Sequence, residues 1–248
     1  EYDSNAFRGL TEQDRTAGLG SYFLTLEGEF DPYRESTVDL RLRQGGKWYP
    51  AAGSADALLT SLDARWRQRL GDVFGVRLQA NFKDRLERAS RQDYSRGGVG
   101  TSVSATFDAV SARLGVGWRY FAFRPNPASS SHGPHVSASL GVQVADPVRL
   151  HADYDLSRRI FESVRFVLDP AGDVVQRDST GQERRDWLHV LRLGGTYRGP
   201  LILEAAYVLL MNRSNSYGQG LVRHGAELDV TAPLPWRLFL SGRLRLQW

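Results

Sequence analysis

Cysteine is absent from the 248 residues and methionine occurs once. The first absence removes disulfide staples, thiol nucleophiles and cysteine-type zinc sites together. Long hydrophobic runs are missing too: nothing approaches the roughly 18–20 uninterrupted apolar residues of a membrane-spanning helix. No block of basic residues occurs, and a net charge of +4 spread along the chain speaks against a nucleic-acid partner. A secretory signal is also lacking, yet Glu1 is not a start methionine. The expectation is therefore a sequence numbered from a cleavage site or from within a longer precursor. Aromatic residues and glycine are plentiful, with 6 Trp, 10 Tyr, 11 Phe and 25 Gly, a profile that suits β structure. Composition alone, with 41% hydrophobic residues and 24% charged ones, would fit a large soluble β protein.

Periodicity is more decisive. Within residues 135–157, Val136, Ala138, Leu140, Val142 and Val144 alternate with Ser137, Ser139, Gly141, Gln143 and Ala145. After Asp146-Pro147, Val148, Leu150, Ala152, Tyr154 and Leu156 alternate with Arg149, His151, Asp153, Asp155 and Ser157. Successive side chains of a strand point to opposite faces, so this hairpin has one apolar and one polar face. The alternation recurs over 19–43, 58–85, 99–120, 187–211 and 222–246, interrupted by turn residues such as Asp31-Pro32, Gly71-Asp72, Gly199-Pro200 and Pro233. Polar connections are expected over 45–56, 88–98 and 125–134, with the longest at 163–186.

This pattern predicts about twelve strands of about ten or more residues in hairpin order, where soluble strands average about 5–6. Long alternating strands joined by alternately short and long connections are the signature of a transmembrane β-barrel. Tyr22, Phe30, Trp66, Phe74, Trp118, Tyr197 and Trp236 fall toward strand ends, where interfacial girdles lie. The expected fold is all-β: a single transmembrane antiparallel β-barrel domain of meander topology. Short turns of such barrels face the periplasm and long loops the exterior. On that convention the first strand descends from outside and the last ends outside, so a further strand is expected at each end. The complete barrel would then have about fourteen strands, unless another chain supplies closure.

Glu1-Tyr2-Asp3-Ser4-Asn5-Ala6-Phe7-Arg8 resembles the Asp-Ser-Asn-Val-Phe-Arg segment that opens a broad group of proteobacterial outer-membrane barrels, with Ala6 in place of the usual valine. Tyr207 with Asn212-Arg213-Ser214-Asn215-Ser216 is similar to a second, Asn-rich strand-end signature of the group. The resemblance implies residence in a bacterial outer membrane and a role in secretion or surface assembly. Barrels of the myxobacterial gliding-motility and spore-coat machinery are among the relatives it suggests.

The polar phase of the strands holds the candidate functional residues. Arg41, Arg43, Arg65, Arg67, Arg77, Arg85, Arg149, Asp153, Asp155, Glu227, Asp229, Arg243 and Arg245 are expected to line the lumen. One reading is a pore favouring anionic solutes, since cations outnumber anions. The other is a lumen cross-linked by Arg–carboxylate pairs between neighbouring strands and closed by them. His132 and His135, three apart in an expected loop, have a spacing that would allow a metal, but no carboxylate lies near. His151 falls on the polar phase, and His189 and His224 on the outward phase. A hydrolase needs a Ser–His pair with an orienting group, and no Gly-x-Ser-x-Gly elbow occurs. The expectation is a non-enzymatic barrel, without cofactor or metal, working in a multiprotein envelope assembly for motility, secretion or surface-polymer export. A free-standing diffusion channel is the alternative and an outer-membrane hydrolase the third reading. The expected partners are outer-membrane lipid and lipopolysaccharide, together with envelope proteins met through long loops or periplasmic turns.

Overall fold

The computed structural model describes residues 20–49, 56–88, 92–169, 175–234 and 238–248. The strands are β1 (Gly20–Tyr33), β2 (Ser36–Trp48), β3 (Ala57–Leu70), β4 (Phe74–Glu87), β5 (Tyr94–Phe107), β6 (Val110–Phe123), β7 (Ser131–Ala145), β8 (Val148–Val164), β9 (Phe166–Leu168), β10 (Val175–Arg177), β11 (Glu183–Arg198), β12 (Ile202–Ser214), β13 (Leu221–Leu234) and β14 (Leu238–Gln247). Twelve of them form one antiparallel sheet in the order β1 to β8, then β11 to β14, so every neighbour in space is the next long strand in sequence. β9 and β10 pair separately as a small hairpin. The long strands run from 10 to 17 residues. This is the all-β antiparallel meander of a membrane barrel.

Exposure explains why the sheet is not that of a water-soluble protein. Among the described residues only Tyr49 and Ala206 are buried hydrophobics. Large apolar side chains stand open instead on the outward phase, Leu24 and Leu26 on β1, Val99 and Val103 on β5, Leu114 and Val116 on β6 and Leu244 and Leu246 on β14 among them. An apolar face this extensive is stable only against another apolar phase, and a lipid chain supplies it. Aromatic rings mark both margins of the band. Phe74 meets Phe107 edge-on at 6.0 Å at the short-turn end. Trp118, stacked on His132, lies toward the long-loop end.

The other face is concave. Phe23 on β1 and Phe161 on β8 line the same cavity of about 810 Å³. In a flat sheet, strands seven places apart are separated by about 34 Å, so the sheet must curl to bring them to one space. Among the described residues β1 and β14 each pair on one side only. The resemblance at residues 1–8 and the aromatic Trp236 lie outside the described residues.

Several strands are longer than the alternation suggested. Gly45-Gly46-Lys47-Trp48, expected as loop, completes β2. Glycine is tolerated there because aromatic side chains on β1 lie across it: a Cβ on Gly46 would sit 2.5 Å from the Tyr22 ring and one on Gly45 2.8 Å from Phe23. β5 begins at Tyr94 and β7 at Ser131, inside stretches also expected as loops. The 163–186 connection contains β9 and β10 and shrinks as β8 and β11 extend into it. Within β7, Gly133 has φ +156 and a Cβ there would lie 1.9 Å from the Arg158 carbonyl oxygen of β8, so only glycine fits.

If the outward face meets lipid, a charge placed at mid-strand should be costly on that face alone. Val116→Arg should lower refolding stability in bilayers by about 2–4 kcal/mol, whereas Asn81→Arg, on the concave face beside Asp63, should fold nearly as the parent does. Denaturant titration of both variants in lipid vesicles checks the contrast.

Candidate functional site: a charged concave face

Strand pairing, not sequence spacing, assembles the polar face. Glu27 lies opposite Arg41, Arg41 opposite Asp63, Asp63 opposite Asn81, Asn81 opposite Gly98 and Gly98 opposite Arg119. A second row crosses β1 to β8 nearer the long loops: Thr25, Arg43, Ser61, Lys83, Arg96, Phe121, Ser131 and Phe161. At the far flank Asp229 stands between Glu204 and Arg243, and Glu227 opposite Arg245. The registers put Arg41, Arg43, Arg65, Arg67, Arg77, Arg85, Arg149, Asp153, Asp155, Glu227, Asp229, Arg243 and Arg245 on this one face.

Carboxylates and cations are treated differently across it. Arg41 Nε reaches Glu27 at 2.8 Å, and Arg67 reaches Asp39 at 3.0 Å. Arg119 forks onto Asp155 at 3.1 and 2.9 Å, passing over β7. Arg192 bridges three strands, to Glu204 at 2.8 Å and Glu227 at 3.1 Å. Glu227 also takes Arg245 at 3.4 Å, and Arg243 pairs with Asp229. Most carboxylates on the face are thus neutralised. Among the described residues no ion pair engages Arg43, Arg65, Lys83, Arg96 or Arg113, and Arg149 donates only to Ser111 Oγ at 2.9 Å. Arg77 lies directly opposite Arg67 and in the field of Arg65 and Arg113, with Asp39 the nearby counter-charge. Charge pairing is therefore uneven: ion pairs cross-link the β11–β14 flank, and several cations of the β2–β6 wall are in none among the described residues.

Two cavities open on this face. The larger, about 810 Å³, is bordered by Arg43, Lys83, Arg96, Arg119 and Arg159 with Phe23, Leu59, Phe121 and Phe161, and Asp63 is the one carboxylate among its described lining residues. The smaller, about 520 Å³, mixes Glu27, Glu29, Asp39 and Asp63 with Arg41 and Arg65.

The histidines separate. His132 and His135 both lie in β7, not in a loop, and face opposite sides: His132 is opposite Tyr120 on the outward phase, His135 opposite Gly117 on the concave one. They cannot share an ion. Among the described residues no group of three or more His, Asp or Glu side chains is placed to hold a metal. His151 sits beside Gly194, where a Cβ would meet its ring at 2.5 Å. On the outward face Tyr154 Oη and His189 Nδ1 share a hydrogen bond of 2.7 Å, and Tyr207 Oη and His224 Nδ1 one of 2.6 Å. Each pair satisfies two polar groups that would otherwise face lipid.

The Asn-rich strand end of β12 ties the long loops together. Asn212 donates to Asp186 at 3.2 Å and to the Gln219 carbonyl at 2.8 Å. Asn215 accepts from the Arg185 N–H at 2.7 Å, and Ser216 Oγ accepts from the Phe166 N–H at 2.9 Å. The β9–β10 hairpin is held by Asp178, which accepts from Arg165 Nε at 2.6 Å and from the Thr180 N–H at 2.9 Å. These donors, the Thr180 N–H foremost, hold the Asp178 carboxyl below the usual carboxylate range. Sequence inspection missed this hairpin, although the Phe166-Val167-Leu168 and Val175-Gln176-Arg177 triplets flanking Asp169-Pro170-Ala171-Gly172-Asp173 carry its signal. It also missed Arg96, whose stretch 94–98 continues the β5 alternation backward past its glycines, and Phe121, the next residue after Arg119 on the polar phase of β6.

No protein-family model matches the chain, and no curated protein matches it in sequence. A solved structure described as "Copper transporter OprC" shares the fold with a TM-score of 0.50 at 12% identity, over 94% of this chain and 54% of that one. The chain therefore spans about half the length of that transporter, and the likeness is one of fold.

Two outcomes follow. Arg192→Gln should leave Glu204 and Glu227 without their shared cation, lowering the thermal unfolding midpoint more than Arg65→Gln does. Asp178 has a lowered folded-state value, so its contribution is present above the unfolded carboxylate pKa and lost as pH falls through the folded one. Pepsin cleavage within 175–182 should stay low at about pH 5 and rise below about pH 4, and Asp178→Asn should make cleavage high at both.

Proposed function

We propose that this chain is a non-enzymatic outer-membrane β-barrel that passes small anionic solutes along its concave face. The observation that carries the reading is the unequal pairing of charge. The carboxylates Glu27, Asp39, Asp155, Glu204, Glu227 and Asp229 are each in an ion pair, while several cations of the β2–β6 wall are not. Uncompensated cations between low-dielectric walls concentrate anions. The fold shared with a transporter is consistent with this reading.

The preference reverses the order drawn from sequence, which put membership of an envelope assembly first. That second reading keeps one favouring observation: among the described residues of the longest loop, β9–β10 is fastened to residues 216–217 by the Phe166 N–H to Ser216 Oγ bond and by Tyr217 N–H to the Phe166 carbonyl at 2.8 Å. A structured loop suits a docking partner in secretion, motility or surface-polymer export, the roles implied by the barrel group that residues 1–8 resemble. On either reading the outward face meets lipid, with lipopolysaccharide at the long-loop margin, and nucleic acid has no place.

Purified protein in planar bilayers under a potassium chloride gradient tests the choice. The channel reading expects a reversal potential on the anion side, moved toward the cation side by Arg65→Glu with Arg113→Glu. Absence of current, with envelope proteins co-purifying in stoichiometric amount, would replace it with the assembly reading.

A further inference from the structure

We infer that the larger cavity is a binding site for small aromatic anions, a solute class of carboxylates or sulfonates borne on a flat apolar body. The inference rests on the anion-channel reading and narrows it.

The cavity's own row makes the case. Reading across the sheet, β2, β4 and β5 present Arg43, Lys83 and Arg96, with Ser61 between the first two, and β6 and β8 then present Phe121 and Phe161. Lys83 and Arg96 are direct cross-strand neighbours on the same face. Like charges in that relation, with Cβ atoms about 4.5–5.5 Å apart, destabilise a sheet. Elsewhere on this face a carboxylate commonly answers a cation in the opposite or diagonal position, as Glu27 answers Arg41 and Glu227 answers Arg245. Here the one carboxylate so placed among the described residues is Asp63, diagonal to Arg43 and Lys83 and in an ion pair with neither, and none is opposite or diagonal to Arg96. One carboxylate thus faces three cations, and a mobile anion is the missing counter-charge.

The facing wall supplies the second requirement. Phe121 packs between Tyr94, at 5.7 Å, and Phe123, stacked at 6.2 Å. Phe161 lies under the Arg184 guanidinium at 4.1 Å. Phe23 and Leu59 extend the apolar wall on β1 and β3. These rings are on the concave, water-facing side, where apolar surface is costly unless covered. A simple inorganic anion would satisfy the cations and leave the rings wet. A flat aromatic carboxylate satisfies both: its charged end faces Arg43, Lys83 and Arg96, and its ring lies against Phe121 and Phe161. The volume of about 810 Å³ holds a solute of that size.

Equilibrium dialysis of the full chain in lipid nanodiscs, with empty nanodiscs as blank, tests this with 2-naphthoate, acetate and neutral 2-naphthalenemethanol as probes. Naphthoate should bind at one site at least tenfold more tightly than either control. Lys83→Gln with Arg96→Gln should weaken it at least tenfold while raising the thermal midpoint of the unliganded protein, because a like-charge contact is removed. Phe121→Ser should weaken naphthoate and leave acetate unchanged, and Arg65→Gln, which borders the smaller cavity, should leave naphthoate binding unchanged. Equal binding of acetate and naphthoate, or naphthoate binding untouched by the double substitution, would overturn the site. Anion-selective current without naphthoate binding would sink this inference alone, whereas naphthoate binding without current would keep the site and sink the channel.

Discussion

Hydrocarbon accepts no unpaired backbone N–H or C=O group, and the rest of the structure depends on that constraint. A chain lacking apolar helical spans can meet it only with strands whose ladders satisfy one another side by side. The meander does so economically: each long strand pairs with the next in sequence, through turns as short as residues 34–35 and 108–109. Glu35 and Asp108 take positive φ in those turns, as tight hairpins require.

Once the ladder is in place, period-two alternation divides the chemistry. Leu, Val and aromatic side chains go outward as a lipid-facing band, and Arg, Asp, Glu and Ser line a concave face. Water and charge then share a confined space, where ion pairs between neighbouring strands do two jobs. On β11–β14 the Arg192, Arg243 and Arg245 network braces the flank. On β2–β6 Arg41 and Arg67 find Glu27 and Asp39, whereas Arg43, Arg65, Lys83, Arg96 and Arg113 are in no ion pair among the described residues, and the wall stays positive. The same face is therefore braced at one side and left partly uncompensated at the other, and strand register decides which cations meet a carboxylate.

Much of this was legible in the residues. Long alternating segments identified strands, faces and hairpin order, because alternation is a local property with a fixed period. Glycine-containing strand ends were harder. Gly45 and Gly46 in β2, and Gly97 and Gly98 in β5, look like loop because glycine has no side chain to declare a face. Only the neighbouring strand, laying Tyr22 and Phe23 or Tyr120 over the gap, shows why glycine stands there. The histidine pair failed for the same reason: three residues apart suggests proximity in a loop, but in a strand an odd spacing sends the side chains to opposite faces.

The sequence by itself determined the class of structure, the two-faced character of every long strand and the excess of positive charge on the polar phase, since each follows from composition and period alone. Tertiary structure decided which charges are answered. Whether Lys83 meets a carboxylate or Arg96, and whether Phe121 and Phe161 share a row with them, depends on register between strands and on the curl that draws β1 and β8 around one cavity. Register is a relation between segments, and no single segment encodes it.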